Sequence, residues 1–590
     1  MAKHRAKRAG INKPSTKAKA EAQIAAGAPV LLWYLAVIPS LLSFGYTIMR
    51  GSDLWWHVAV GRWIFEHKSL PLVDSWSFTR EGQPWLQHEW LSDFVFELFA
   101  ACFGMNFLVY LKWLILLATF LLLFRMVQRI TKESISSYLS ILLAVAVASP
   151  FLDIRPHLFS ALGYVVLLNL TMSREKAPMF LPLLFLVWVN LHAGFFFGLM
   201  ALFVVLCPVL VFGPAADRGR AILIWFSSAA ICLVNPNGIK TFAYPLKYAF
   251  DRSSPFKAID EWQRPFVAGG IQSALYPYAI GIFVIAALFL VTRRWRVKKE
   301  LPWVGLALGF LTLAMSLTSR RFIVLFAISQ ALLTGPALAE LIAPRLARIP
   351  RLLPPAAALL LGIIWLWPYP LAPYAFQYLT AEDEFPIETC NFIEANNLSG
   401  NVFSYYNWGG YLHLRTNGRM KVFIDGRADT IYDADTFRRY ALVQGFHPGW
   451  ENVLEQSGAQ YILWPRNNTG KPLAALIASG RWRVLYDDFV SVLLVRVDRQ
   501  PLGPFEPTPD SAYRRLTSGV KNLEAGRYVD AEAALKSSLK LMPYLRTALL
   551  TLAQVQSLQG KTQEAGQTLD RCDWLFPDQP RVAIARAALH

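Results

Sequence analysis

The stretch that decides the fold is PVLLWYLAVIPSLLSFGYTIMRGSDLWWH, residues 29–57, in which an apolar run is followed at once by a polar one. The run over 29–49 is long enough to cross a hydrocarbon layer about 30 Å thick. Asp53 is the first carboxylate after this run, and two tryptophans and a histidine follow it. Since an ionisable group at a membrane boundary is costly unless it pairs or lines a wet cavity, Asp53 marks a candidate site.

The rest of the chain has the same apolar character. Of its 590 residues, 55% are hydrophobic, 14% aromatic and only 17% charged, a composition that one soluble core does not accommodate. We therefore predict a polytopic α-helical membrane protein. The predicted spans, about eleven in number and several of them short, are 29–49, 105–124, 136–152, 158–172, 179–193, 195–213, 221–234, 271–292, 302–317, 321–342 and 353–369.

Basic residues set the predicted orientation, because Lys and Arg are retained on the cytoplasmic side near span ends. Residues 1–28 form a basic arm, in which Glu21 is the one acid, and alternate loops carry further Lys and Arg. We predict a cytoplasmic N-terminus. The net charge of +18 then reflects topology and anionic lipid headgroups, which argues against nucleic-acid binding. No small-residue cleavage site follows the first span, so we expect it to stay as an anchor.

This orientation sends the unusual polar clusters to the extracytoplasmic face. Polar groups at a membrane boundary mark a site by default, and five clusters on one face predict one shared pocket. The clusters lie in the long first external loop 50–104 and at 153–157, 190–192, 235–238 together with 260–262, and 319–321.

The segment after the membrane domain, which we place at 29–370, returns to a soluble pattern. Strand-like and helical stretches alternate in it, which predicts a small extracytoplasmic α/β domain over 371–500. A Pro-rich linker over 501–511 follows. The predicted strands are 401–405, 421–424, 461–464 and 491–495, and the helical stretches include 433–444 and 471–479.

The last segment, 512–590, repeats itself with a period of 34 residues. Small residues recur where two helices would cross, and a proline recurs at the end of each unit. This pattern resembles tetratricopeptide repeats. Because two repeats are too few to be stable alone, we expect them to dock on the preceding domain or on a partner. The repeated pairs are Gly526 and Gly560, Ala531 and Ala565, Leu535 and Leu569, and Pro543 and Pro577.

The cysteines and histidines leave two questions open. Cys390 and Cys572 lie in the exported tail, where pairing is allowed but no spacing rule supports it. His57, His88 and Glu89 are either hydrogen-bonded side chains or loose ligands of a divalent cation, and the sequence has no closed structural zinc pattern. No cofactor is firmly predicted.

Several motifs resemble those of a known superfamily. Residues 53–57 (DLWWH), 71–79 (PLVDSWSFT) and 85–91 (WLQHEWL) are similar to a bacterial group of GT-C membrane glycosyltransferases of mostly unassigned substrate. Further motifs of the same kind are Arg155-Pro156-His157, Asn190-Leu191-His192, Asn235-Pro236-Asn237-Gly238, Trp408-Gly409-Gly410-Tyr411 and Asp425-Gly426-Arg427.

The resemblance covers about residues 29–500. It implies a GT-C-like fold in the bacterial inner membrane and transfer of a sugar from a polyprenyl-phosphate donor. The acceptor would be a protein or a glycan on the extracytoplasmic face. The motifs are specific for the group but not for one sugar.

The chemistry of such a transfer needs a base and a cation. A carboxylate within reach of the acceptor hydroxyl is a suitable general base, and we assign that role to Asp53, with a helix-capping role as the alternative. A guanidinium suits the leaving phosphate. Arg155, Arg320 and Arg321 are the candidates, and the later pair is slightly favoured.

Other side chains near these groups are predicted to bind substrate, each with a structural alternative. Trp56 belongs either to the site or to the interfacial aromatic belt. His57 is among the predicted substrate-binding residues. His88 and Glu89 either orient the acceptor or hold Asp53, or they cap a loop helix. His192 is followed by Ala193 and Gly194, so close helix packing is its alternative role.

A different class of function stays open. A non-enzymatic membrane scaffold, or a binder of a lipid-linked glycan, would keep the pocket and recruit an envelope assembly through the repeats. A transporter is less well supported, because the membrane half shows no pseudo-repeat.

Overall fold

The structure is a computed structural model that describes residues 16–46, 53–172, 177–250, 254–298, 300–346, 349–369, 374–466, 470–499, 503–575 and 580–587. Most of the basic N-terminal arm, part of three basic loops and the start of the Pro-rich linker lie outside the described residues. The described part of the chain up to residue 369 is mostly helical. Its helices are α1 (Thr16–Phe44), α2 (Asp53–His67), α3 (Trp90–Phe103), α4 (Leu108–Thr131), α5 (Ser134–Ala148), α6 (His157–Met172), α7 (Leu181–Leu191), α8 (Phe195–Phe212), α9 (Ala215–Ile231), α10 (Lys240–Phe250), α11 (Tyr276–Arg296), α12 (Trp303–Thr318), α13 (Ile323–Leu346) and α14 (Leu353–Leu366).

The apolar helices make this a multi-pass membrane protein. Five helical segments are long and apolar enough to cross a membrane, and five shorter helices are also apolar. The predicted span over 221–234 coincides with α9, which is not among them. The count of about eleven spans and the orientation stay predictions.

The core of the bundle is built around α13, which packs on α5, α11 and α12. Within 320–342, 89% of the apolar window is buried. Small residues permit the close approach: a Cβ at Gly335 would lie 2.4 Å from Val127 Cγ1 on α4. Such contacts are typical of membrane helix packing.

The soluble segment forms one five-stranded mixed sheet. Its strand order is β2-β1-β3-β5-β4, with β1 parallel to both β2 and β3, and β5 antiparallel to β3 and β4. The strands are β1 (Gly400–Ser404), β2 (Met420–Val422), β3 (Tyr461–Pro465), β4 (Trp482–Asp487) and β5 (Ser491–Arg496). The helices are α15 (Tyr374–Thr380), α16 (Ile387–Ala395), α17 (Gly409–Thr416), α18 (Ala434–Gln444), α19 (Trp450–Gln456) and α20 (Gly470–Ala478).

The first external loop extends this sheet at its β2 edge. Phe78 N donates to Val422 O at 3.1 Å, Val422 N donates to Trp76 O at 3.1 Å, and Ser77 bridges Val422 in parallel. Two chain segments more than 300 residues apart are thus joined through backbone hydrogen bonds. The β2 edge is closed by this addition.

A buried arginine fastens the same loop to the soluble domain. Arg427 is fully enclosed, and its guanidinium donates to Asp74 at 2.6 Å and to Asp425 at 2.9 Å. The guanidinium also lies over the rings of Trp76 and Trp85, 5.0 and 4.7 Å from their centroids. Asp425 therefore serves the packing of the loop on the soluble domain.

The repeat helices dock on the α/β domain, which was one of the two expected arrangements. Arg546 is buried and pairs with Asp383 and Glu384, 3.4 and 2.5 Å away. Tyr513 donates to Glu382 at 3.0 Å. Cys390 and Cys572 are both buried free thiols. The repeat helices are α21 (Ala512–Glu524), α22 (Tyr528–Leu541), α23 (Arg546–Leu558), α24 (Thr562–Leu575) and α25 (Pro580–Ala587).

Arg427→Ala is expected to destabilise the protein by about 3–5 kcal/mol, because it leaves two buried carboxylates without their cation. Thermal unfolding of the detergent-solubilised protein measures the loss. Arg438→Ala is the matched control, since Arg438 is exposed on α18 and its pair with Asp435 contributes less than about 1 kcal/mol. Equal melting temperatures for the two variants would show that the buried network does not hold the loop.

Candidate active site

One large cavity lies where the membrane helices meet the soluble domain. It has a volume of about 630 Å³, which is within the range of small-molecule sites. Its walls come from the start of α2, from residues 85–89 and 155–157, from 259–262, and from the soluble domain around 405–407 and 426–428. Residues that are distant in sequence are thus gathered around one space.

Asp53 lies in this cavity and is bound to Arg155. One guanidinium nitrogen of Arg155 donates to Asp53 and the other donates to Glu261. Asp53 is the first residue of α2, and its described partner is this guanidinium across the cavity. Ser52, the other half of the predicted cap, is outside the described residues.

The two carboxyl groups that share the Arg155 guanidinium, Asp53 and Glu261, have pKa values shifted in opposite directions. Burial raises the pKa of Asp53, since this effect outweighs the lowering by Arg155, and the charge of Glu261 raises it further. Arg155 lowers the pKa of Glu261 to about 2 despite the opposing effect of burial. Glu261 is therefore the permanent anion, whereas Asp53 is the carboxylate suited to exchange a proton.

Glycines bring the soluble domain onto Asp53 and Trp56. A Cβ at Gly426 would lie 2.8 Å from Asp53 Oδ1 and 3.3 Å from Trp56 Nε1. A Cβ at Gly410 would lie 2.9 Å from Trp56 Cβ. The glycines of the motifs 408–411 and 425–427 are thus needed for close approach to α2, which is a packing reason for their presence.

Glu89 lies among three imidazoles at one side of the cavity. Its carboxylate oxygens are 3.5 Å from His192 Nε2, 3.7 Å from His88 Nε2 and 4.0 Å from His57 Nε2. Each ring is fixed by a bond on its other nitrogen, of which the shortest joins His57 Nδ1 to Asp93 Oδ1 at 2.6 Å.

The two ring nitrogens of His192 have different neighbours. The Ser160 hydroxyl lies 2.7 Å from His192 Nδ1, and Gly194 N donates to the same atom at 3.0 Å. Nε2 faces Glu89, and a guanidinium nitrogen of Arg321 lies 3.3 Å from it. His192 is thus both packed against Gly194, as one interpretation expected, and directed into the cavity.

The three candidate phosphate-binding arginines have different surroundings. Arg320 is fully buried, donates to Asp260 and to the Arg264 and Val267 carbonyl oxygens, and does not line the cavity. Arg321 lines the cavity, with its guanidinium 4.9 Å from the Trp262 ring centroid. Within the described part of the chain, Arg321 has no carboxylate at ion-pair distance. Arg321 is therefore the available cation.

The tryptophans divide between the cavity and the packing around it. Trp56 lines the cavity beside His57, with ring centroids 3.6 Å apart. Trp55 packs edge-on against Tyr411, and Trp90 donates to Asn190 Oδ1 at 2.7 Å. Trp56 is therefore the one of these three tryptophans that lines the cavity.

Sequence reasoning missed part of the site. Asp93, which holds His57, follows the motif at 85–91 by only two residues, and its position in a helical run gave no signal. Tyr405 and Asn407 line the cavity from the soluble domain; Tyr405 ends a predicted strand and Asn407 follows it, so neither position carried a signal of a site. Among the described residues, no group of three His, Cys, Asp or Glu side chains is arranged to hold a metal ion.

The fold and the tail have counterparts among known proteins. Residues 522–589 match the tetratricopeptide repeat family, and no curated protein matches the sequence at a significant level. The structure is similar to the oligosaccharyltransferase AglB of Archaeoglobus fulgidus, solved with an inhibitory peptide and a dolichol-phosphate. The two are 12% identical with a TM-score of 0.50, and the match covers 73% of this chain and 69% of AglB.

A second similar structure is ArnT of Cupriavidus metallidurans in the apo state, which is 12% identical with a TM-score of 0.43. That match covers 83% of this chain and 100% of ArnT. The similarity to AglB is one of fold: the chain has a GT-C-like fold followed by tetratricopeptide repeats.

Arg320→Ala and Arg321→Ala are expected to differ in stability. Arg320→Ala removes several buried charged hydrogen bonds and should destabilise by about 1–3 kcal/mol. Arg321→Ala removes a ring contact of less than about 1 kcal/mol and a 3.3 Å contact with His192 Nε2, and should cost less. Thermal unfolding of both variants measures the difference. A larger loss for Arg321→Ala would mean that Arg321 is the structural residue of the pair.

Proposed function

We propose that the protein transfers a sugar from a polyprenyl-phosphate donor to an acceptor, a protein or a glycan, on the extracytoplasmic face of a bacterial inner membrane. The observation that carries the proposal is the cavity in which Asp53, a carboxylate of raised pKa, lies with Arg321, a cation that has no carboxylate at ion-pair distance among the described residues. The GT-C-like fold supports the same class of reaction.

The donor class is supported by chemistry and by the fold. AglB, which has a similar fold, was solved with a dolichol-phosphate, a polyprenyl-type lipid phosphate. A cavity at the ends of membrane helices suits a lipid whose chain stays in the bilayer and whose phosphate reaches the boundary. Arg321, with no carboxylate partner among the described residues, is our candidate for contact with that phosphate.

Asp53 would act as the general base of an inverting displacement. The acceptor hydroxyl oxygen attacks the anomeric carbon as its proton passes to Asp53, and the bond from that carbon to the phosphate oxygen breaks. The lipid phosphate leaves with the electron pair, and Arg321 stabilises its charge. Arg155 would position Asp53, because its guanidinium is bound on the other side by Glu261.

The remaining predicted residues would bind substrate. Glu89 and His192 face the cavity together, which suits them to hydroxyl groups of the sugar or the acceptor. Trp56 offers a ring beside Asp53. The divalent cation that the sequence left open stays a prediction.

Asp53→Asn is expected to lower transfer by about 10²–10⁴-fold, because the amide keeps the size of the side chain but does not accept the proton. Glycan mass spectrometry on envelope proteins and surface polysaccharide measures the product. The cells compared carry the native protein, no protein or the variant, at matched membrane levels. Asp435→Asn, at an exposed position of α18, is the matched control.

The three results separate the candidate functions. Loss of the same sugar in the deletion and in Asp53→Asn supports the transferase. A sugar that is lost in the deletion and fully restored by Asp53→Asn would remove Asp53 from the chemistry. No loss in either strain would favour the scaffold or glycan-binding alternative.

Glu261→Gln is expected to move the acid limb of the activity profile to lower pH. Transfer needs ionised Asp53 and is lost as the pH falls through its pKa, which the Glu261 charge raises. Without that charge, Arg155 acts on Asp53 alone and the limb should fall by about 1 pH unit. Initial rates across the acid range test this, with Glu451→Gln, at an exposed position of α19, as control. A shift to higher pH would contradict the shared-guanidinium model.

A further inference from the structure

The wall that the soluble domain contributes to the cavity carries almost no charge. We call residues 405–407, 426–428, Thr430 and the cavity side of α18 the soluble-domain wall. Of the described residues that form this wall, Arg427 is the one with a charge, and Asp74 and Asp425 neutralise it. The other charged groups that line the cavity, Asp53 and Arg321 among them, belong to the membrane domain and its loops.

The exposed polar groups of the soluble-domain wall are neutral, and each one both donates and accepts hydrogen bonds. They are the side-chain amides of Asn407 and Gln444 and the hydroxyl of Tyr405. In the part of the chain that the structure describes, no protein hydrogen bond occupies these three groups. Burial raises the pKa of Tyr405, so its hydroxyl keeps its proton.

Aromatic rings form the firm surface of the same wall. Tyr405 is held edge-on by Trp408 and Trp464, with ring centroids 5.6 and 6.0 Å away. The backbone beside Tyr405 is also fixed, because Tyr406 N donates a hydrogen bond to the Tyr440 hydroxyl at 2.8 Å. The wall is thus rigid, amphipathic and preorganised, which lowers the cost of binding.

Two other kinds of acceptor fit this wall less well. An anionic acceptor would need a cation, and the available one, Arg321, lies at the membrane side with Trp262. An extended peptide is commonly bound by a free strand edge, but the edge at β2 is taken by Ser77 and Phe78. The β4 edge does not line the cavity.

We propose that the acceptor is a neutral carbohydrate, bound by the soluble-domain wall so that one of its hydroxyls reaches Asp53. Sugar hydroxyls both donate and accept, as do Asn407 and Gln444, and the apolar face of a sugar ring suits the tyrosines. Gly426 brings the wall against Asp53, since a Cβ there would lie 2.8 Å from its Oδ1. This inference rests on the proposed function and names the class of its acceptor.

The test is binding by the full-length protein in detergent to a glycan array that carries neutral and uronic-acid-containing bacterial oligosaccharides, beside an array of peptides rich in Ser, Thr and Asn. The variants are Asn407→Ala with Gln444→Ala, and Tyr405→Ala. Asn452→Ala with Gln456→Ala is the matched control, because both residues are exposed on α19 and outside the cavity. Asp53→Asn separates binding from transfer.

Wild type, Asp53→Asn and the α19 control should bind neutral glycans, and the amide double variant should bind them at least about tenfold more weakly, as two lost hydrogen bonds imply. Tyr405→Ala should weaken binding as well. No binding of neutral glycans, unchanged binding by the wall variants, or wall-dependent binding of acidic glycans or peptides would overturn the inference. Neutral-glycan binding without any transferred sugar would instead contradict the proposed function and leave the binding site standing.

Discussion

The structure depends on a buried arginine, Arg427, that joins two parts of the chain that are distant in sequence. Its guanidinium satisfies Asp74 in the first external loop and Asp425 in the soluble domain at once. Taking three charges out of water is expensive, and it is tolerated because each has a partner at hydrogen-bond distance. The loop that carries Gln87, His88 and Glu89 is thereby held on the soluble domain, and these two parts together form one side of the cavity.

The charges of the cavity are arranged around one shared cation. Arg155 binds two carboxylates, so the three groups together carry a net negative charge when both acids are ionised. Burial raises the pKa of Asp53, whereas the pKa of Glu261 is lowered, so Asp53 is the acid that takes up a proton first. Arg321, on the same cavity, has a ring and an imidazole as neighbours and no acid among the described residues. A base of raised pKa and an available cation across one space are what a displacement with an anionic leaving group requires.

Much of the fold could be predicted from the sequence, because apolar length and strand-like alternation are local signals. Most of the apolar helices and four of the five strands fall where the pattern placed them. β4 was missed because its exposed Arg483 and Val484 break the alternation. The pairing of Ser77 with Val422 was out of reach, since an isolated bridge between distant segments leaves no periodicity. Composition therefore predicts elements better than it predicts how they meet.

The same limit explains the site. Asp53 stood out because a carboxylate after a span is rare, but among the cations Arg155, Arg320 and Arg321 the sequence favoured the later pair only slightly. They differ in what surrounds them. Arg155 has two carboxylates, Arg320 has Asp260 and two carbonyl oxygens, and Arg321 has an aromatic ring and an imidazole. Burial and partners are three-dimensional properties, so neighbouring residues of the same type take different roles.

The position of the cavity wall also depends on the repeat helices at the end of the chain. Arg546 reaches Asp383 and Glu384, and Trp408 donates to the Glu384 carbonyl oxygen at 3.0 Å. Trp408 in turn holds Tyr405 at the cavity. The repeats therefore support the cavity wall through the contacts of Glu384 with Trp408 and of Trp408 with Tyr405. A change in the packing of the repeats is expected to alter the position of Tyr405, even if their outer surface binds a separate partner.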